Sequence, residues 1–221
     1  MVDRNIDKLT GLFSGVELNA EMEALIVKGI EFSLIMLDID GLFVLNRDFG
    51  IEAGDAIFRL IAKHIGDVFT KPCIAFRDTR DQFDILLPEF TKEQAFLKAE
   101  QLRKLVCEEQ LNYTSADGTP MKQTISVGVS AYPEDGSRPA DVFRRADSAM
   151  VRAKKSGRNL VCLAREEKLI PKTSHYTQAQ LEKLSHISEK INVGEAALLR
   201  EALDVLLKMY DVDETTKGGN L

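Results

Sequence analysis

The chain has 221 residues and a mass of 24.7 kDa, enough for one medium domain with an appendage or for two small ones. Hydrophobic residues make up 44% and charged residues 29%, with no long Pro, Gly or Ser tract, which excludes wholesale disorder. A formal net charge of −6 gives no global attraction to nucleic acid or to an anionic membrane, so any such contact must be local.

The opening run MVDRNIDKLTGLF carries Asp3 and Asp7 and has no apolar signal core. No window approaches the roughly 18 apolar residues of a membrane span, so a soluble cytoplasmic protein is expected. Three cysteines, Cys73, Cys107 and Cys162, are odd in number and far apart, which suits neither a disulfide framework nor a metal knuckle. They read as buried small hydrophobes. His64, His175 and His186 lack partner ligands at metal spacing and read as structural.

In chain order, a leading helix precedes Phe32 to Leu37, a continuous apolar run of strand length that ends at Asp38 and Asp40. Ala53 to Phe69 has helical apolar spacing, and Thr91 to Glu109 repeats it behind a Thr N-cap. Between them, Cys73 to Phe76 and Phe83 to Leu87 read as a hairpin joined by the polar turn Arg77 to Gln82. After Asp117-Gly118, Gln123 to Ala131 alternates as a strand, Pro139 to Lys155 is a helix and Leu160 to Leu163 a last short strand. This order contains the split β-α-β-β-α-β unit, so an α/β, ferredoxin-like sheet with flanking helices is expected over residues 1–165.

The charged stretch Arg165 to Lys168 and Pro171 mark a boundary. Beyond it, Gln178 to Ile191 and Glu195 to Tyr210 carry apolar stripes at helical spacing, broken near Asn192-Val193-Gly194. Two short helices do not bury such stripes unaided, so residues 171–212 are expected to pack on the first domain or on a second copy, most economically as a dimerisation segment. Residues 213–221 are expected to be a flexible tail.

A carboxylate at the end of a buried strand, facing a second one in a neighbouring hairpin, suits Mg²⁺ held against nucleotide phosphates. Asp38 and Asp81 fit that description, and equally fit a solvated strand end and an ordinary turn. Asn46 and Asp55 offer amide and carboxylate edges to a purine. Lys154 and Arg158 offer cations that would grip phosphates or simply complement a helix C-terminus.

Five motifs follow one another along the chain: Asp7-Lys8-Leu9-Thr10-Gly11-Leu12, then Leu37-Asp38-Ile39-Asp40 followed by Asn46 and Gly54-Asp55, then Ile125-Ser126-Val127-Gly128-Val129, then Arg144 to Met150, and last Ala153-Lys154 to Gly157-Arg158-Asn159. On these the chain resembles the GGDEF family, diguanylate cyclases that condense two GTP into cyclic di-GMP. The resemblance implies that Asp38, the Ile39 carbonyl and Asp81 bind Mg²⁺, that Asn46 and Asp55 recognise guanine, and that Lys154 and Arg158 hold the β and γ phosphates. The signature hairpin departs from the family pattern, reading Arg77-Asp78-Thr79-Arg80-Asp81-Gln82-Phe83. Thr79 and Arg80 replace two glycines that admit unusual φ and close phosphate approach, and Gln82 replaces a glutamate. Asp81, the catalytic position, thus sits in a degenerate context. Arg80 reads as a surface turn residue or a surrogate phosphate clamp. Phe43 stands where the family commonly has a lysine and Ile51 where it has a histidine. The inhibitory Arg-x-x-Asp falls on Thr70 to Cys73, so product inhibition is not expected.

The expected function is therefore a degenerate, inactive guanine-nucleotide-binding or scaffold protein of cyclic di-GMP signalling, with GTP and a protein partner as ligands. The alternative is a working diguanylate cyclase. Residues Lys172 to Tyr210 also resemble the ribbon-helix-helix family of dimeric DNA-binding proteins, whose short strand would put Thr173 and His175 in the major groove. Six basic residues against eight acidic ones beyond Pro171 give that segment a net charge of −2, which disfavours DNA. A homodimer is expected there.

Overall fold

The computed structural model describes residues 5–77, 81–165, 172–191 and 194–210. Thr79, Arg80 and the expected tail at 213–221 lie outside the described residues. The chain divides into two units at residues 167 and 168, close to the boundary read from Arg165 to Lys168. Among the described residues no helix is long and apolar enough to cross a membrane.

The first unit runs β1 (Phe13–Ser14), a 3-10 turn (Gly15–Glu17), α1 (Leu18–Val27), β2 (Phe32–Ile39), α2 (Leu42–Phe49) and α3 (Ile51–Val68). It continues through β3 (Ile74–Arg77), β4 (Gln82–Pro88), α4 (Lys92–Glu108), β5 (Ile125–Tyr132), α5 (Pro139–Lys155) and β6 (Val161–Leu163). The sheet order is β1-β3-β4-β2-β5-β6. The three inner pairings, β3–β4, β4–β2 and β2–β5, are antiparallel, while β1 and β6 join the edges in parallel. The ferredoxin-like core is the one expected from the element order. The two-residue β1 and the eight-residue α2 are additions to it.

β2 is buried along its whole length because helices cover both faces of the sheet. Strand alternation sends Ile35, Leu37 and Ile39 to one side, where they join Ile57, Ile61 and Ile65 of α3 and Ala99, Leu102 and Val106 of α4. Phe32, Leu34 and Met36 go to the other side, with Met22 of α1 and Val142, Ala146 and Met150 of α5. Asp38 continues this second row. α4 starts on a full capping box: Thr91 Oγ1 accepts from Gln94 N, and Gln94 Oε1 accepts from Thr91 N at 3.0 Å. Close packing of α5 depends on Gly128, which pairs with Met36 across β2–β5. A Cβ there would overlap the backbone of Ala146 and Met150.

Two sequence readings are corrected. Cys107 is exposed and Cys73 and Cys162 are only partly buried, so the cysteines are not core residues. Arg77 closes β3 and is almost buried rather than part of a polar turn. The second unit contains α6 (Gln178–Ile191) and α7 (Glu195–Tyr210), the expected spans, in contact with each other. Residues 172–177 form no strand in the single chain, where a ribbon strand would have no mate to pair with.

Gly128→Ala is expected to lower stability by about 2 to 3 kcal/mol, because the added methyl meets rigid backbone. Urea unfolding monitored by circular dichroism would register the fall as a lower midpoint.

Candidate functional site

The site is built where β2 runs out. Asp38 and Asp40, two residues apart, share the face covered by α5. Lys154, in the last turn of α5, reaches Asp38, with Nζ 2.7 Å from Oδ2. Asp38 is 8% exposed. Burial is the largest influence on its carboxyl and pushes the pKa up to about 6; Lys154 opposes the rise, and the charges of Asp81 and Asp40 add to it. Asp38 also pairs with Gln82 in the β2–β4 register, which ends there, so Ile39 extends beyond the last pair. The structure therefore brings together Asp38, Asp81 and Lys154, with the Ile39 backbone alongside.

Asp40 is differently placed. Its Oδ1 accepts from Ser126 Oγ at 2.6 Å, and its Oδ2 accepts from Thr124 Oγ1 at 2.7 Å and from the Asn159 amide at 3.0 Å. Gln82 donates from Nε2 to Oδ1 of the buried Asp84 at 3.0 Å.

β2 leads through Asp40 and Gly41, at φ 69°, into α2, which carries Asn46. The Asn46 Oδ1 is buried without a hydrogen-bond partner among the described residues. It lies against Gly54 of α3 so closely that a Cβ at Gly54 would overlap it. Asp55 follows, with its side chain 40% exposed and 4.0 Å from Arg59 Nη2. Asn46 and the start of α3 thus form one cluster, with an unsatisfied carbonyl oxygen and an exposed carboxylate. Phe43 and Ile51 are both prominently exposed. Arg158 lies beyond α5, exposed, with φ 63°.

The sequence reading missed three contributors. Arg77 Nη1 donates to Asp7 Oδ1 at 2.8 Å, and its guanidinium stacks 3.9 Å from the centroid of Phe58. Burial works against the Asp7 carboxylate, but hydrogen bonds from Thr10 and Arg77 outweigh it and hold its pKa below the ordinary value. This ties the Asp7 to Leu12 segment to the base of the hairpin. Asp40 and Asn159 are the other two. The period-two spacing of Asp38 and Asp40 was the available signal for one; nothing local marks the partners of Asn159.

Among the described residues no group of three or more His, Cys, Asp or Glu side chains is arranged to hold a metal ion. The fit to Mg²⁺ rests instead on two mutually repelling carboxylates at a strand end, one of them raised in pKa by burial. Hard oxygen donors that lack enough positive charge suit a hard divalent cation completed by ligand oxygens and water.

The Asp38 carboxyl makes a pH prediction. Its folded pKa lies above the ordinary 3.8, so its contribution to stability is fully present below about pH 4 and is lost as pH rises through 6. Carboxyl carbon NMR of the metal-deprived protein should show an Asp38 midpoint near 6. Lys154→Met should move that midpoint higher, and Asp38→Asn should remove the associated loss of stability between pH 4 and 7.

Comparisons with known proteins find relatives of this chain. Diguanylate cyclase A of Treponema denticola is 34% identical over 133 residues, covering 60% of this chain and 35% of its own. The response regulator PleD of Caulobacter vibrioides is 31% identical over 160 residues, covering 70% and 35%. The chain thus spans about a third of the length of these relatives. The crystal structure of the GGDEF domain of DgcB from Caulobacter crescentus, in complex with c-di-GMP, superposes with a TM-score of 0.63 at 27% identity over 74% of this chain and 98% of that one. A ribbon-helix-helix domain model matches residues 168–211. The family model described as diguanylate cyclase, GGDEF domain, matches residues 4–160, and with most of its length accounted for in this way the chain belongs to the GGDEF family.

Proposed function

We propose that the first unit binds a guanine nucleotide with Mg²⁺ in the cytoplasm but has lost the capacity to condense GTP into cyclic di-GMP at a useful rate. It would serve cyclic di-GMP signalling as a nucleotide-binding or scaffold protein that passes its state to a protein partner. One observation carries this reading: Asp81 is felt electrostatically at Asp38, whereas the next residue, Gln82, is a neutral amide committed to Asp84. The carboxylates that attract a cation remain, and the adjoining charge is gone.

In this reading, Asp38, Asp81 and the Ile39 carbonyl would hold Mg²⁺, which when bound neutralises phosphate charge. Lys154 would turn from Asp38 toward the phosphates, with Arg158 beside it. The Asn46 amide, whose Oδ1 is buried and unsatisfied against Gly54, would have to turn outward to meet a base edge, while the part-exposed Asp55 carboxylate would accept a base N–H. Exposed apolar side chains at Phe43 and Ile51 supply no charge to a triphosphate, which weakens any grip on the leaving group.

The second unit is proposed to make the protein a homodimer. Leu181, Ile187, Leu203 and Leu206 are each about half exposed, and burying one such side chain gains about 1.5 to 3 kcal/mol. The likeness to ribbon-helix-helix proteins supports a dimer more than it supports DNA, because the segment's net charge is negative.

Loss of one preorganised electrostatic contact costs about 10²- to 10³-fold in rate, so GTP turnover to cyclic di-GMP should fall at least 100-fold below an intact family member. Turnover within tenfold would restore the working-cyclase alternative. Calorimetry with Mg²⁺ should show weak GTP binding in preference to ATP, and Asp55→Ala should abolish that preference. Sedimentation velocity at tens of micromolar should give a dimer for the full chain and a monomer after truncation at Arg165; a monomeric full chain would refute the dimer.

A further inference from the structure

After α5 the chain passes through Gly157 at φ 116° and then through two consecutive non-glycine residues in the left-handed region, Arg158 at 63° and Asn159 at 46°. Side chains rarely adopt this backbone, and it persists only where neighbouring groups over-determine it. Here three do. The Arg158 amide donates to Ala153 O at 3.1 Å, closing the helix. The Asn159 amide donates to Asp40 Oδ2 at 3.0 Å. The Asn159 Oδ1 accepts from Arg103 Nη1 at 2.8 Å, and Arg103 is itself braced by Glu100 at 2.9 Å.

Asp40 is suited to this role by its own anchoring. Hydroxyls of Ser126 and Thr124 fix both carboxylate oxygens, leaving the group no freedom to follow the turn if the turn moves. The bond to Asn159 spans 119 positions of sequence and joins the end of β2 to the segment carrying the exposed Arg158. Asp38, two residues earlier, meets Lys154 on the same helix end.

We propose that Asp40 is a positioning residue: through the Asn159 amide it locks the left-handed turn that presents Arg158 to a nucleotide phosphate. The phosphate role of Arg158 rests on the function proposed above, whereas the lock does not. An acidic side chain at this position thus acts on the ligand without touching it.

The test compares GTP with guanosine, which lacks phosphates, by calorimetry in Mg²⁺ on the full chain. Asp40→Ala should weaken GTP at least tenfold and guanosine less than twofold; equal weakening of both would mean a general structural role and overturn the proposal. Two loop variants serve if Asp40→Ala does not fold. Both remove the Arg103 contact, but Asn159→Gly tolerates the left-handed backbone and keeps its amide for Asp40, whereas Asn159→Ala resists that conformation. The alanine variant should lose GTP affinity at least fivefold relative to the glycine variant; equal affinities would overturn the proposal. If the parent binds neither ligand, the nucleotide reading fails, and amide hydrogen exchange judges the lock. Faster exchange at Arg158 and Asn159 in Asp40→Ala, with the middle of α5 unchanged, supports it; unchanged or uniformly faster exchange overturns it.

Discussion

The seat of α5 on the sheet governs both the stability of the first unit and the chemistry at its edge. Because β5 offers only a hydrogen atom at Gly128, the helix backbone around Ala146 to Met150 lies directly on the strand. A helix held that close brings its last turn over the end of β2, where strand alternation has already turned Asp38 and Asp40 toward it. Lys154 then reaches one carboxylate and the Asn159 amide the other. A bulkier residue at position 128 would lift the helix from the core and withdraw a cation and a backbone donor from the site in the same movement.

The two strand-end aspartates illustrate how environment divides identical side chains between structure and chemistry. Asp40 accepts from two hydroxyls and one amide, so most of its hydrogen-bonding capacity is taken up within the protein. Asp38 is more deeply buried than the partly exposed Asp40, yet it receives one ammonium group and feels two neighbouring carboxylates. Burial without full compensation raises its pKa and leaves it in want of positive charge. Residues two positions apart on one sheet face therefore differ in what they can do, a difference set by their burial and by partners from β5, α5, the loop beyond and the β3–β4 hairpin.

Much of this fold was legible in local pattern. The apolar run of β2, the cap at Thr91 and the helical spacing of α5, α6 and α7 each carry their own signal over several turns or residues. The eight residues of α2 did not, because they span barely two turns between Gly41 and Gly50 and their apolar positions blend into those of β2 and α3. Arg77 reads as polar turn chemistry until Asp7 and Phe58, 70 and 19 positions away, enclose it. The carboxylates of the candidate site were visible as types and spacing; Asp40's role was not, since its partners lie 84 to 119 residues downstream. The exposed Cys107 shows the complementary limit, where an apolar-tending residue happens to fall on the outer face of α4.

The change at the signature hairpin also has a physical counterpart within β4. Gln82 and Asp84 lie on the same strand face, and the Gln82 amide donates to the buried Asp84 carboxylate at 3.0 Å. A glutamate at position 82 in that rotamer would set two carboxylates against each other in a poorly hydrated environment, where like charges cannot both stay ionised without cost. The neutral amide at 82 spares the acid at 84 that repulsion. The departure from the family pattern at Gln82 is in this sense accommodated by the strand that supports it.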